Sequence, residues 1–300
     1  MRLDAPPWTL HFALCTLHLS PSYNPPMRPV LLLLLAAIAP ALFLLHYVYV
    51  RDKYEREPLG RVLLVYCLGF LAVIPAGIWE THVPFFESLG ILGVVFATWG
   101  IVAFAEEGMK FIFIRWLAHP LPEFNEVYDG VLYGTAISLG FATAENIMYV
   151  LLSGGAAWQV ALLRGVLSIP AHASWGIILG YHIGLAKFSA PQDRTRLLFT
   201  GGLMAWFGHG LYDFLAYASD LPANPWNNWC AVGVVVVVIV SFILGRYYIQ
   251  RAQELSVFKR PPLYVDPLGA IARVRYCHRC GQSNPLQGAF CIACGHEFPL

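Results

Sequence analysis

Residues 30–50, VLLLLLAAIAPALFLLHYVYV, contain no Asp, Glu, Lys or Arg. A helix of about 20 such residues crosses the hydrocarbon core of a bilayer. The composition of the whole chain agrees, because 58% of its 300 residues are hydrophobic and 12% are charged, against roughly 45–50% and 25% in soluble proteins. The sequence therefore predicts a membrane protein, and its composition excludes an ordinary cytosolic enzyme and a disordered chain.

Apolar runs of sufficient length recur along the chain, separated by short polar segments. We predict an all-α polytopic membrane protein with about seven transmembrane helices and a small C-terminal zinc ribbon. Pro170 is expected to kink the fifth helix. The predicted spans lie near residues 29–50, 62–82, 88–117, 128–151, 165–186, 197–219 and 228–249.

The distribution of Lys and Arg predicts an orientation. Basic residues collect in segments 51–61 and 187–196 and in the tail after residue 246, whereas the alternate loops 83–87 and 220–227 contain none. Because Lys and Arg accumulate on the cytoplasmic side, we expect the N-terminus outside and the C-terminus in the cytoplasm. Arg164, on the outer side of the fifth span, is an exception.

Four regions are predicted along the chain. Five prolines interrupt residues 1–27, which we interpret as a non-native or disordered extension before a natural start at Met27. Residues 28–250 form the transmembrane domain, 251–270 a linker, and 271–300 the zinc ribbon.

A few polar residues lie inside the predicted spans, at a cost of about 2.5–3.5 kcal/mol per charged residue on insertion scales. Each is therefore a candidate for function. Apart from Glu80 and His82 near the outer end of the second span, the candidates are concentrated on the third to sixth spans. They are Glu106, Glu107, Lys110, Glu145, Asn146, His172, His182, His209 and Asp213.

Helical spacing indicates which of these side chains work together, since residues three or four apart share a face. Lys110 can pair with Glu106 or Glu107, and His209 lies on one face with Asp213. The adjacent glutamates point about 100° apart in a regular helix. We therefore expect one to be catalytic and the other to contact a neighbouring helix or the substrate.

Three functions remain compatible with this set of residues. A buried glutamate beside histidines suits hydrolysis by activated water, with a histidine or an asparagine amide stabilising the oxyanion. Two glutamates and two histidines could instead ligate a catalytic zinc ion. In a non-catalytic sensor or scaffold, the same side chains would satisfy one another between helices.

The motifs resemble those of the PrsW family of intramembrane proteases, relatives of the CAAX prenyl endopeptidase and bacteriocin-processing proteins. Residues 106–110 read EExxK, residues 141–146 (FATAEN) read FxxxEN, and residues 209–213 (HGLYD) read HxxxD. Residues 46–58, HYVYVRDKYEREP, are similar to the first-loop sequence of the family. The resemblance covers about residues 29–250.

This resemblance implies a glutamate-dependent endopeptidase of the bacterial inner membrane that needs no metal for catalysis. Its substrate would be a membrane-anchored protein in the bilayer, such as an anti-sigma factor. The implied roles are water activation by Glu106 or Glu107 and assistance by His172 and His209. Orientation or stabilisation would fall to Glu145, Asn146 and Asp213, with Lys110 as the last residue of the first motif.

The C-terminal region contains two CxxC pairs, each followed by glycine. Four thiolates at this spacing are typical of a closed, structural zinc site. The ribbon is expected to bind a protein or a nucleic acid, and the net charge of +1 disfavours nucleic acid. The predicted ligands are Cys277, Cys280, Cys291 and Cys294.

Overall fold

The computed structural model describes residues 27–83, 90–220 and 225–259, and in the C-terminal region residues 263–265, 271–277, 283–285 and 288–298. Within these ranges the chain is a helical bundle followed by a small sheet. The predicted extension lies outside the described residues, except for Met27, which begins the first helix.

The helical bundle follows the predicted spans, with ends that differ by a few residues. A short helix that the sequence analysis did not predict, α5, precedes the break before α6. The helices are α1 (Met27–Tyr49), α2 (Leu59–His82), α3 (Ile91–Ala118), α4 (Val127–Leu152), α5 (Ala157–Val166), α6 (Ser168–Phe188), α7 (Pro191–Asp220) and α8 (Asn227–Glu254).

Six helical stretches in the described part of the chain are long and apolar enough to cross a membrane. They are α1, α2, α3, α4, the stretch Gly154–Phe188 and α8. The helix α7 is not among them, although it is 30 residues long, since it contains charged and polar residues. It packs against α3, α6 and α8 as the remaining member of the bundle. The six membrane-length stretches together with α7 confirm the all-α polytopic membrane fold.

The helix α3 contains two π-helical segments. Residues Phe96–Ala103 and Ile114–Ala118 are π-helical, and the α-helical segment Phe104–Phe113 between them contains the EExxK motif. Wider π turns inside α-helices are frequent at functional sites. The distortion therefore flanks the two glutamates, and Gly108 lies in regular helix.

The helix α4 lies at the centre of the bundle, and its contact with α6 is closest at glycines. A Cβ atom at Gly130 or Gly134 would overlap the carbonyl oxygen of Gly180 or Gly176. Small residues four apart allow helix backbones to approach closely. These glycines thus serve packing, and the packing brings α4 and α6 side chains together.

The break between α5 and α6 falls at Leu167, so Pro170 lies in the first turn of α6. Proline is tolerated there because the first N–H groups of a helix have no partner within the helix. Pro170 thus belongs to the start of α6, and His172 follows it two residues later.

The C-terminal region contains an antiparallel sheet of β1 (Leu263–Val265), β2 (Ile271–Tyr276) and β3 (Ser283–Pro285), with β2 in the middle. Leu263 pairs with Arg273, and Tyr276 pairs with Ser283. The end of α8 and the strand β1 fall within the region predicted as a linker.

Candidate active site

Lys110 is the centre of a buried polar cluster. Its ammonium Nζ donates hydrogen bonds to Glu107 Oε1 at 2.8 Å and to Glu106 Oε2 at 3.2 Å. It also lies 2.9 Å from His172 Nδ1 on α6 and 4.3 Å from the centre of the Phe141 ring on α4. Lys110 is fully buried, so this one cation holds side chains from three helices together.

The side chains of Glu106 and Glu107 lie closer together than the 100° between neighbours on a regular helix predicts. Glu107 does contact a neighbouring helix, because His209 Nδ1 lies 2.8 Å from its Oε1. Glu106 nevertheless turns to the same region, with its Oε2 3.8 Å from His209 Nε2. Long side chains can lean across the 100° between neighbours, and Lys110, one turn ahead, attracts both carboxylates.

His209 is held from several directions. Asp213 Oδ2, one turn along α7, lies 3.3 Å from Nε2, and the Trp175 ring stacks on the imidazole at 4.6 Å between centres. The Trp175 indole N–H donates to Ser241 Oγ on α8 at 3.2 Å. Both nitrogens of His209 thus face carboxylate oxygens. Such an imidazole is either doubly protonated or shares a proton with one of the carboxyl groups.

His172 links the lysine to a second carboxylate. An ammonium can only donate hydrogen bonds, so His172 Nδ1 accepts from Lys110 and the proton of the neutral ring lies on Nε2. That nitrogen is 3.3 Å from Glu145 Oε2. The hydrogen bonds therefore fix the tautomer of His172.

Arg164 on α5 is the partner of Glu145 and Asn146. Its guanidinium NH2 group lies 3.0 Å from Glu145 Oε1, and its Nε donates to Asn146 Oδ1 at 3.0 Å. Asn146 in turn donates to the carbonyl of Ala37 on α1 at 2.8 Å. Arg164, the exception to the predicted distribution of basic residues, is thus part of this cluster.

A cavity of about 500 Å³ opens beside the cluster. Glu106, Glu145, His172, His209 and Asp213 line it, whereas Glu107 and Lys110 do not. Its wall also includes Glu80, Leu152 and Ser219 near the ends of α2, α4 and α7, and Ala231 near the start of α8. The cavity therefore lies toward the end of the bundle opposite the basic segments.

The structure brings together eight of the nine candidate residues named from the sequence, and His182 is the exception. His182 Nδ1 contacts the carbonyl of Ile178 at 2.8 Å, and its ring packs against Tyr181 and Tyr248. The sequence analysis did not assign Trp175 or Ser241 to the site. Ser241, a polar residue in the apolar run of α8, was the available signal.

The cluster contains the ligand types of a metal site. Atoms of Glu106, Glu107, His172 and His209 lie within 4.8 Å of one another, and a set of histidines and glutamates is typical of catalytic zinc. However, the Lys110 ammonium contacts three of these four side chains. Two cations repel strongly in a dry site, so the observed arrangement does not fit a metal ion unless Lys110 withdraws.

Three of the four predicted zinc ligands also lie together. Atoms of Cys277, Cys291 and Cys294 are within 4.8 Å of one another, whereas Cys280 lies outside the described residues. Gly295 has a φ of 68°, a conformation that glycine adopts at low cost. It donates its N–H to the carbonyl of Cys291 at 2.9 Å. This turn directs Cys291 and Cys294 to one point.

The chain was also compared with known proteins. Residues 57–244 match the profile of a family described as "PrsW family intramembrane metalloprotease". "Protease PrsW" of Bacillus subtilis is 37% identical over 61% of this chain and 82% of its own length. The proteins of that name from Shouchella clausii and Clostridioides difficile are each 31% identical over 75% of this chain, and over 99% and 92% of their own lengths. No solved structure matches the chain significantly.

Proposed function

We propose, since the chain belongs to the PrsW family of intramembrane proteases, that it is an endopeptidase that cleaves a membrane-anchored protein by means of a glutamate-activated water. The observation that carries this proposal is the cavity beside the cluster. Its wall combines carboxylates with imidazoles at hydrogen-bonding distances from one another. Carboxylates and imidazoles can activate water and stabilise the oxyanion in peptide hydrolysis.

Glu106 is the proposed general base. Of the two adjacent glutamates it is the one that lines the cavity, while Glu107 is held by Lys110 and His209 behind it. The Glu106 carboxylate accepts a proton from water as the water oxygen bonds to the scissile carbonyl carbon. It then returns the proton to the amide nitrogen as the C–N bond breaks.

His209 and His172 are the proposed donors to the oxyanion that forms at the carbonyl oxygen when water attacks the carbonyl carbon. Each carries an N–H near the cavity wall, His209 beside Asp213 and His172 beside Glu145. Lys110 and Glu107 position these rings and are not required to touch the substrate. Donors held in place before the reaction stabilise developing negative charge more effectively than mobile groups do.

The position of the cavity supports cleavage near one surface of the bilayer. Glu145 lies seven residues before the end of α4 at Leu152, about 10 Å along a helix at 1.5 Å per residue. If the basic segments face the cytoplasm, as proposed from their charge, the site opens to the outer side of the inner membrane. A single-span protein such as an anti-sigma factor is the proposed substrate class.

The decisive experiment is cleavage of a panel of single-span proteins co-expressed with the chain. We expect Glu106→Gln to abolish cleavage, whereas Glu107→Gln should reduce it strongly, because His209 loses a partner. Glu123→Gln is the matched control, since Glu123 pairs with Arg61 outside the cluster. Undiminished cleavage by Glu106→Gln, at equal abundance in the membrane, would refute the glutamate mechanism.

A metal-dependent protease is the second candidate. The four-residue ligand set and the family description support it. When bound, zinc would polarise the carbonyl and activate water. Loss of activity in a chelator, with recovery on adding zinc, would favour this candidate, provided that the protein carries Cys277→Ser and Cys291→Ser so that the ribbon does not respond.

The C-terminal region, residues 271–300, is proposed as a structural zinc ribbon. The clustering of Cys277, Cys291 and Cys294 supports this assignment, with Cys280 as the fourth ligand. Zinc would supply folding free energy to this region, and the ribbon's partner is proposed to be a protein. One zinc ion per chain, lost in Cys291→Ser and retained in Cys67→Ser, is the expected result of metal analysis.

A further inference from the structure

Five acidic side chains are buried together at the other end of the bundle from the cavity. Asp52, Glu55 and Glu57 belong to the segment between α1 and α2, and Glu126 and Asp129 to the start of α4. None is more than 4% exposed. We call these five residues the acidic site. A buried carboxylate needs a compensating charge or proton.

The carboxylates of the acidic site are close enough to share a cation. Atoms of Asp52, Glu126 and Asp129 lie within 4.8 Å of one another, and so do atoms of Glu55, Glu57 and Asp129. Oxygens bound to one Mg²⁺ or Ca²⁺ ion, at about 2.0–2.6 Å from it, are separated by distances of up to this size. Asp129 belongs to both sets, so the two sets adjoin.

Hydrogen bonds satisfy only part of this oxygen-rich region. Asp129 Oδ2 accepts the backbone N–H groups of Asn125 and Glu126, both at 2.6 Å, and the Tyr133 hydroxyl donates to Glu57 Oε2. Other oxygens are buried and have no hydrogen-bond partner in the part of the chain that the structure describes. These are Asp52 Oδ2, Glu57 Oε1 and Asp129 Oδ1.

Basic side chains of the described residues form no ion pair with these carboxylates. Among the described residues, no Lys, Arg or His lies within 4.0 Å of the carboxylates of Asp52, Glu57 or Asp129. Lys187, on the neighbouring α6, donates instead to the backbone carbonyls of His119 and Phe124. The unpartnered oxygens therefore have no basic group of the described residues within ion-pairing distance.

We propose that the acidic site binds a hard divalent cation of the Mg²⁺ or Ca²⁺ type, which joins the α1–α2 segment to the start of α4. All-oxygen carboxylate ligands are those that such ions prefer. The site also adjoins the end of α8, because Gln253 donates a hydrogen bond to the carbonyl of Arg51. The cation thus braces the part of the bundle from which the C-terminal region departs.

Protons are the rival occupants. Burial raises the pKa of Asp52 to about 7 and the pKa values of Glu57 and Glu126 to about 8. Below these values, protons would neutralise the carboxyl groups and compete with a cation. The test is therefore made at pH 8.5, where protons compete less with a metal ion.

The experiment measures the thermal unfolding midpoint of the full-length protein in detergent after removal of metal ions. Saturating MgCl₂ or CaCl₂ should raise the midpoint by about 5 °C relative to KCl at equal ionic strength. The double variant Asp52→Asn/Glu57→Gln should lose this shift. Glu123→Gln, a matched acid from the same end of the bundle, should retain it.

A second double variant, Glu106→Gln/Glu107→Gln, separates the acidic site from the cavity and should retain the shift. In that protein, paramagnetic resonance should detect one bound Mn²⁺ ion per chain that Mg²⁺ or Ca²⁺ displaces. This measurement does not depend on how well the acidic-site variant folds.

Absence of both the shift and bound Mn²⁺ would overturn the proposal, as would an unchanged shift in Asp52→Asn/Glu57→Gln. A midpoint that responds to pH between 6 and 8.5 but to neither cation would identify protons as the occupants.

Discussion

Replacing Arg164 by methionine tests whether the cluster depends on a buried ion pair. The side chains of Arg164 and Glu145 are 15% and 11% exposed, with 3.0 Å between guanidinium and carboxylate. Removing one partner of a buried pair costs about 3–5 kcal/mol, because the other charge remains without compensation. We expect about 3 kcal/mol for Arg164→Met, since Glu145 keeps His172 at 3.3 Å.

The assay is thermal unfolding of the purified protein in detergent. At roughly 2–4 °C per kcal/mol for a chain of 150–250 residues, the expected loss corresponds to a midpoint lowered by roughly 6–12 °C. The matched control is Arg196→Met. Its ion pair with Asp193 is 77% and 45% exposed, and an exposed pair contributes at most about 1 kcal/mol.

A double-mutant cycle with Glu145→Gln isolates the interaction between the two side chains. In the double variant no charge is left unpaired, so about 2 kcal/mol of the loss in Arg164→Met should be recovered. Additive effects of the two single substitutions, or a loss in Arg164→Met no larger than in Arg196→Met, would refute the buried pair. This readout does not require a known substrate.

Three further predictions concern residues around the cluster and the bundle. Ser241→Ala removes the acceptor of the Trp175 indole N–H, a hydrogen bond worth about 1 kcal/mol. Cleavage should fall roughly fivefold at unchanged abundance, and Ser241→Thr should restore it. Equal activity of the unsubstituted protein and both variants would contradict the role of Ser241 in positioning Trp175. Gly134→Leu should prevent accumulation in the membrane, because its Cβ would overlap the backbone of α6. Gly202→Leu should accumulate normally, because a Cβ atom at this position would have no neighbour within 4 Å, and equal accumulation of the two variants would contradict the close approach. Burial, with neighbouring Lys and Arg side chains, lowers the pKa of His119 to about 4. The unfolded chain therefore binds the proton more tightly, and the folded state loses stability as the pH falls from about 6.5 to 4. The unfolding midpoint of His119→Gln should fall less over this range than that of the unsubstituted protein, and an equal fall would contradict the prediction.

The sequence predicted the membrane-spanning bundle well because the bilayer sets the length of an apolar run. The ends of the helices were less predictable, since the polar residues that continue α7 and α8 beyond the core carry no hydropathy signal. The helix α5 was missed for a related reason. It is 10 residues long, too short to span a membrane, and it leads directly into α6 within one apolar stretch.

The candidate site was predictable in its members and unpredictable in its contacts. The energetic cost of polar residues inside a membrane singles them out from the sequence, and helical spacing pairs His209 with Asp213. Contacts between helices, such as His172 of α6 with Glu145 of α4, depend on how close the backbones approach. That approach is set by glycines of α4 and α6, whose spacing indicates packing but not which side chains meet.

Arg164 illustrates how a departure from one pattern can reveal another. Its position on the outer side of a span conflicts with the distribution of the other basic residues, which gather at the opposite end of the bundle. The structure explains the departure, because Arg164 neutralises Glu145 beside the cavity. A basic residue with no topological reason is therefore a signal of a buried acidic partner.

The adjacent glutamates show how two like charges can be kept in one dry site. Lys110 follows them at three and four positions and contacts both carboxylates, so each lies near a cation in spite of the other. Only Glu106 also lines the cavity. The two residues therefore differ in their surroundings: Glu107 is confined between Lys110 and His209, while Glu106 is also in contact with the cavity.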